Sequence, residues 1–184
     1  HTTADYDTAM EAFRCGASHA THLYNGMPSL HHRAPAVIGA AFDTPGVRAE
    51  LICDGLHIHP SAIRGAKQLF GENLVVISDS LRCAGMPDGE YELGGQTAIL
   101  SGGVAKLADG TIAGSATNLY ECMRRAMDFG IAEEDAIRAS SYNPACALGA
   151  EDKIGSIETG KYADFLVCSP DYRHKTVYMG GKVI

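Results

Sequence analysis

The sequence predicts an α/β fold built on a parallel sheet. Two observations carry this: apolar runs of strand length alternate with segments of helical period, and the polar residues that end the runs are His and Asp rather than turn-formers alone. In parallel α/β folds, chemistry sits at the C-terminal ends of the strands. His22, Asp54, His57 and Asp79 all fall at or just beyond predicted strand ends.

The elements follow in order. Residues 5–15 read as a helix, because Tyr6, Ala9, Met10 and Phe13 recur at three- and four-residue spacing and Gly16 suits a left-handed C-terminus. A short strand leads into His22, and a loop rich in Pro and His follows. A second strand covers 49–53 and stops at Asp54-Gly55. Pro60 opens a helix at a position that needs no N–H partner, and Gly71 closes it. Residues 74–77 form an apolar run that stops short of Asp79. Residues 88–114, rich in Gly and Asp-Gly turns, predict an inserted β-hairpin. Helical patterns resume near 117–129, then from the acidic first turn Glu133, Glu134 and Asp135, and again from Asn143-Pro144 to Gly149. The pattern turns to strands at 164–168, 176–179 and 182–184, so the expected division is 1–150 for the main unit and 151–184 for a small β element.

Composition bounds the function. With 46% hydrophobic and 20% charged residues over 184 positions, the chain has the balance of a folded domain. A net charge of −7 speaks against a nucleic-acid or anionic-membrane surface, and no apolar run is long enough to span a bilayer. The chain begins at His1 rather than Met, so the lack of a secretory signal decides nothing. The six cysteines form no CxxC pair and lie mostly in apolar stretches, which suits a reducing, cytoplasmic setting. Neither a G-x-S-x-G elbow nor a phosphate-binding P-loop occurs, so serine nucleophile chemistry and nucleotide hydrolysis have no support.

Several residues can carry chemistry, each with a plainer alternative. His1 and His22 are metal-ligand candidates at the ends of neighbouring strands, or polar residues that start loops. His57 and His59 are a metal-binding His-x-His pair, a solvated loop, or a substrate-binding His57 beside a structural His59. Asp79 is a general base or the cap of the next turn. Arg33, beside His31 and His32, is a phosphate site in an acidic chain or a surface loop with chance charges.

These signals converge on a family. Thr21-His22-Leu23-Tyr24-Asn25-Gly26-Met27-Pro28, followed by His31-His32-Arg33, resembles the signature of N-acetylglucosamine-6-phosphate deacetylases. Asp54-Gly55-Leu56-His57 and the Asp79 strand end match the next two blocks in order. Asn143-Pro144-Ala145 with Leu148-Gly149, and the stretch from Gly155 to Asp164, resemble amidohydrolases generally. The resemblance implies a TIM-type (β/α)8 barrel, of which this chain would be the C-terminal part, and a small-molecule amino-sugar phosphate as substrate. It implies a divalent metal, Zn2+ or Fe2+, held by His1 and His22, with Asp79 as acid and base on the hydrolytic water. His57 would contact the sugar; Asn25, Gly26 and Arg33 would surround its phosphate. Arg33 would reach the site of a neighbouring subunit, which implies a homodimer. Two departures stand out: Ser78-Asp79-Ser80 replaces the common Thr-Asp-Ala, and the family's Glu ligand would lie upstream of His1. The chain is therefore expected to be a piece of the functional protein. The rivals are an amidohydrolase for another amide or a deaminase substrate, and a non-catalytic fragment.

Overall fold

A computed structural model describes residues 1–184. The architecture is α/β. Strands β1 (His19–Ala20), β2 (Arg48–Ile52) and β3 (Leu74–Ile77) form a parallel sheet in the order β1-β2-β3. Ala20 pairs with Ala49, and Ile52 with Ile77. Leu74, Val75 and Val76 are all buried, the continuous apolar run of a strand covered on both faces. The sheet is open, with three strands.

Helix α1 (Tyr6–Arg14) precedes β1; Asp5 caps it, accepting from the Thr8 N–H at 2.9 Å, and Ala9 and Phe13 face inward. Helix α2 (Ala36–Asp43) joins β1 to β2 where the sequence predicts a loop. Residues 36–41 of α2 are buried without a break, so the helix has no polar stripe and shows no helical period. Tyr6 on α1 donates to Asp43 of α2 at 2.8 Å. Helix α3 (Pro60–Phe70) joins β2 to β3, burying Ile63, Ala66 and Phe70. Burying each large apolar side chain contributes about 1.5–3 kcal/mol.

The inserted segment is larger than the expected single hairpin. It is a four-stranded antiparallel meander of β4 (Gly89–Leu93), β5 (Gln96–Ser101), β6 (Val104–Leu107) and β7 (Ile112–Gly114). Two of its turns are the glycine pairs Gly94-Gly95 and Gly102-Gly103, with positive φ at both residues of each, the geometry of a tight hairpin turn. Cys83, Leu100 and Ala105 form a small core of their own beneath it. After β7 the chain returns to the segment that follows β3, where Ser115 pairs with Ser80 in an isolated parallel bridge.

Helices α4 (Leu119–Asp128), α5 (Glu133–Ser140) and α6 (Tyr142–Ala147) follow. Asn118 caps α4 by accepting from the Glu121 N–H at 3.0 Å. Buried Asn143 on α6 donates to the Leu74 carbonyl at 2.8 Å, which docks α6 on the start of β3. The last strands, β8 (Phe165–Cys168), β9 (Lys175–Met179) and β10 (Lys182–Val183), make a separate antiparallel sheet, and the Phe165 and Tyr178 rings stack at 4.6 Å. No helix is long and apolar enough to cross a membrane.

Candidate active site

Strand ends place the polar residues. β1 stops at Ala20, and the chain turns sharply through residues 21–26. The Leu23 N–H donates to the Glu50 carbonyl of β2 at 2.7 Å, which pins the turn to the sheet. His22 and Tyr24 hold left-handed backbone, with φ of +35° and +76°. Such conformations cost side-chain-bearing residues energy and cluster at functional sites. The Asn25 side chain stitches the turn together, donating to the His22 and Leu23 carbonyls at 3.2 Å each.

His1 lies against this turn. The Thr2 N–H donates to the Gly26 carbonyl at 3.0 Å, and a Cβ on Gly26 would sit 2.4 Å from the His1 ring. Only glycine admits that approach. The His1 and His22 rings meet edge to face, centroids 5.3 Å apart. His22 Nδ1 is buried and has no hydrogen-bond partner. A buried orphaned imidazole nitrogen beside a second imidazole is a donor pair suited to a divalent cation. No group of three His, Cys, Asp or Glu side chains converges in the chain, so it offers this pair and not a complete ligand set.

Beyond β2, Asp54 is 2% exposed. Its Oδ1 accepts from the Leu56 and His57 N–H groups at 2.9 and 3.0 Å, and its Oδ2 lies 2.7 Å from His57 Nδ1. Burial favours the neutral acid, but the hydrogen bonds from His57 and Leu56, with the imidazole's charge, outweigh it and hold the Asp54 carboxyl below the usual carboxylate range. The neighbouring thiols are inert: burial pushes Cys53 up to about 12 and Cys122 to about 11.

The His-x-His reading changes here. Neither His57 nor His59 is on a strand. His59 caps α3 instead, its Nδ1 accepting from the Ser61 N–H at 3.2 Å, while His57 turns to Asp54. The two rings have different partners and are not a metal pair.

Asp79 follows β3 by two residues. The β2–β3 register ends on the pair Ile52 and Ile77, so Asp54 and Asp79 each lie two residues beyond the C-terminal end of neighbouring strands. Asp54, His57 and Asp79 therefore all follow strands at the C-terminal end of the sheet. Asp79 has φ +49° and is exposed. Its backbone carbonyl accepts from the Ser115 N–H at 3.0 Å. Its carboxylate has no hydrogen bond or ion pair, so Asp79 does not cap the next turn; the side chain is free for an external partner.

Arg33 stands apart. It is exposed, makes no ion pair, and lines a cleft of about 540 Å³ with Asp5, Asp7 and Asp43, among others. None of His1, His22, His57 and Asp79 lines that cleft. The structure thus gathers His1, His22 and Gly26 at one turn, and Asp54, His57 and Asp79 at the neighbouring strand ends, but leaves Arg33 outside both groups within one chain. Two contributors escaped the sequence reading: Asp54 as the partner of His57, which the three-residue Asp-to-His spacing hinted at, and Arg125, which donates to the Asp54 carbonyl from a place 71 residues away.

A family model for the amidohydrolase family matches residues 1–184. The chain belongs to the amidohydrolase family. Curated relatives include the N-acetylglucosamine-6-phosphate deacetylase of Bacillus subtilis (strain 168), 43% identical over 93% of this chain and 44% of that protein. The enzyme of the same description from Vibrio furnissii is 37% identical over 100% of this chain and 46% of its own length. Among solved structures, N-acetylglucosamine-6-phosphate deacetylase from Pasteurella multocida superimposes with a TM-score of 0.94 at 33% identity, covering 99% of this chain and 48% of that one. This amidohydrolase chain therefore spans about half the length of these three proteins.

Proposed function

We propose that the protein containing this chain hydrolyses the acetamide of N-acetylglucosamine 6-phosphate, giving glucosamine 6-phosphate and acetate in amino-sugar catabolism. The observation that carries the reading is the buried, unpartnered His22 Nδ1 beside the His1 ring, with the unpartnered Asp79 carboxylate at the same end of the parallel sheet, in a chain similar throughout to deacetylases of this substrate. In this reading residues 1–150, with β1–β3, are the C-terminal part of a (β/α)8 barrel, and 151–184 belong to a small β unit. The six unpaired cysteines suit a cytoplasmic setting.

His1 and His22 would hold the divalent cation, zinc or ferrous iron, with the Glu that the family resemblance places upstream of His1. A cation bound there supplies Lewis acidity to the acetamide carbonyl and lowers the pKa of water. Asp79 takes a proton from the attacking water at a carboxylate oxygen and returns it to the departing nitrogen. His57 contacts the sugar, while Asn25, Gly26 and Arg33 surround the phosphate. Arg33 lines a cleft that none of His1, His22, His57 and Asp79 lines, and in this reading it serves the site of a second subunit in a homodimer.

The test is acetate release by the full-length protein from N-acetylglucosamine 6-phosphate and from N-acetylglucosamine, after chelation and after restoration of metal. Metal-dependent turnover with strong preference for the phosphorylated sugar is expected. A folded, metal-loaded protein that cleaves neither sugar overturns the proposal.

A further inference from the structure

Two groups, Asp54 just beyond β2 and Arg125 on α4, have no part in the chemistry above, yet they are hydrogen-bonded to each other. Asp54 occupies a closed arrangement: one carboxylate oxygen takes two backbone N–H groups and the other faces His57 Nδ1. Its own carbonyl accepts from Arg125 on α4. Gly55, at φ +77°, lets the chain turn between them, and a Cβ there would come within 3.1 Å of the Phe129 ring. The Asp54 and His57 side chains are 2% and 8% exposed. Neither can swing to another partner without leaving a buried polar group unpaired.

We propose that Asp54 is a positioning residue, whose carboxylate locks the His57 ring with Nδ1–H turned inward and Nε2 presented to the substrate. The inference rests on the deacetylase reading, in which His57 contacts the sugar. An ionised carboxylate only accepts hydrogen bonds, so Nδ1 carries the proton. The neutral ring then has its lone pair on Nε2, and the charged ring donates through Nε2. Nε2 has no partner within the protein and is not among the enclosed, unsatisfied atoms, so it is the ring's free atom. Without Asp54 the ring could take either tautomer and rotate; with it, one edge and one protonation pattern face the crevice. Arg125 and the thiols Cys53 and Cys122 also lie near Asp54, and Asp79 follows the neighbouring strand, but the 2.7 Å contact between the carboxylate and the ring leaves room for none of them between.

Asp54→Asn is the near-isosteric probe. The Asn side-chain oxygen can keep the backbone N–H groups, which turns its NH2 towards His57 Nδ1. That reverses the preference to the Nε2–H tautomer. In the full-length metal-loaded protein, nitrogen-15 NMR of the His57 ring without substrate should report Nδ1–H in the wild type and Nε2–H in Asp54→Asn. On substrate, Asp54→Asn should lower kcat/KM by roughly 10- to 100-fold, the scale of partners that orient a functional imidazole. It should shift the pH profile as well. In a His57→Gln background the same substitution should have almost no further effect.

A wild-type His57 lacking the Nδ1 proton would overturn the proposal even if Asp54→Asn does not fold. So would an unchanged tautomer in Asp54→Asn, or a loss as large in the His57→Gln background as in the wild type. Wild-type turnover measured on the same samples keeps the two readings apart. An inactive wild type refutes the deacetylase reading, whereas an active one with an indifferent Asp54→Asn refutes only the role of Asp54.

Discussion

His22, Tyr24 and Asp79 hold left-handed backbone at the ends of two parallel strands, at a cost of about 1–3 kcal/mol each. The surrounding hydrogen bonds, Leu23 to Glu50 and Ser115 to Asp79, impose these conformations. Asn tolerates left-handed backbone well. Asp79→Asn should therefore leave the thermal midpoint unchanged or raised, while kcat falls by about 10²- to 10⁴-fold and KM stays similar; retained turnover would remove Asp79 from its role. Asp54 makes a separate prediction about acid. Its folded pKa is depressed, so the stabilisation is present above the unfolded value near 3.9 and disappears as pH falls through the folded one. The stability gap between wild type and Asp54→Asn, read from denaturant midpoints, should be wide at pH 7 and shrink below about pH 4. A gap that grows on acidification would contradict the depressed pKa. Of these residues, Asp79 was legible because it follows a strand-length apolar run, and His22 because a short strand leads into it. The Asp54–His57 bond was only half legible, since local spacing permits it and burial decides it.

At the scale of elements, α2 is the clearest misreading. Its sequence Ala-Val-Ile-Gly-Ala-Ala-Phe-Asp has no polar face to set a helical period. It becomes a helix because α1 and the sheet cover it from several sides, a tertiary effect no local window contains. Ile38, fully buried there, gives the test: Ile38→Ala should destabilise by about 2–5 kcal/mol in denaturant unfolding. A cost below 1 kcal/mol would mean that α2 is not packed as described. The meander was read as one hairpin because its paired glycines mark turns without counting strands. The helices α1, α3, α4 and α5 were legible from spacing, acidic first turns and Pro60, all of which act within one or two turns of chain.

For the whole molecule, two expectations concern partners. Removing bound metal should lower the thermal midpoint of the full-length protein, since a ligand that binds only the folded state stabilises it. His22→Ala should abolish that metal-dependent shift and reduce the metal content; an undiminished shift would place the cation elsewhere. If Arg33 serves the neighbouring subunit, Arg33→Ala and Asp79→Asn subunits, each weak alone, should complement when mixed. Random reassortment would give one intact site in half the dimers, or about a quarter of wild-type activity per subunit. No recovery from verified mixed dimers would assign Arg33 to its own chain.

The sequence alone determined the α/β class, the strand ends and the identities of the polar residues that follow them, because strand runs, caps and turn residues act over a few positions of chain. Only the tertiary structure decided which of those residues meet. It set His22 Nδ1 unpartnered beside His1, turned His57 from His59 to Asp54, brought Arg125 to the Asp54 carbonyl, and left Arg33 in a separate cleft. Those outcomes depend on sheet register and on burial, which remove water from some groups and not from others. Both are properties of the packed chain, not of any segment of it.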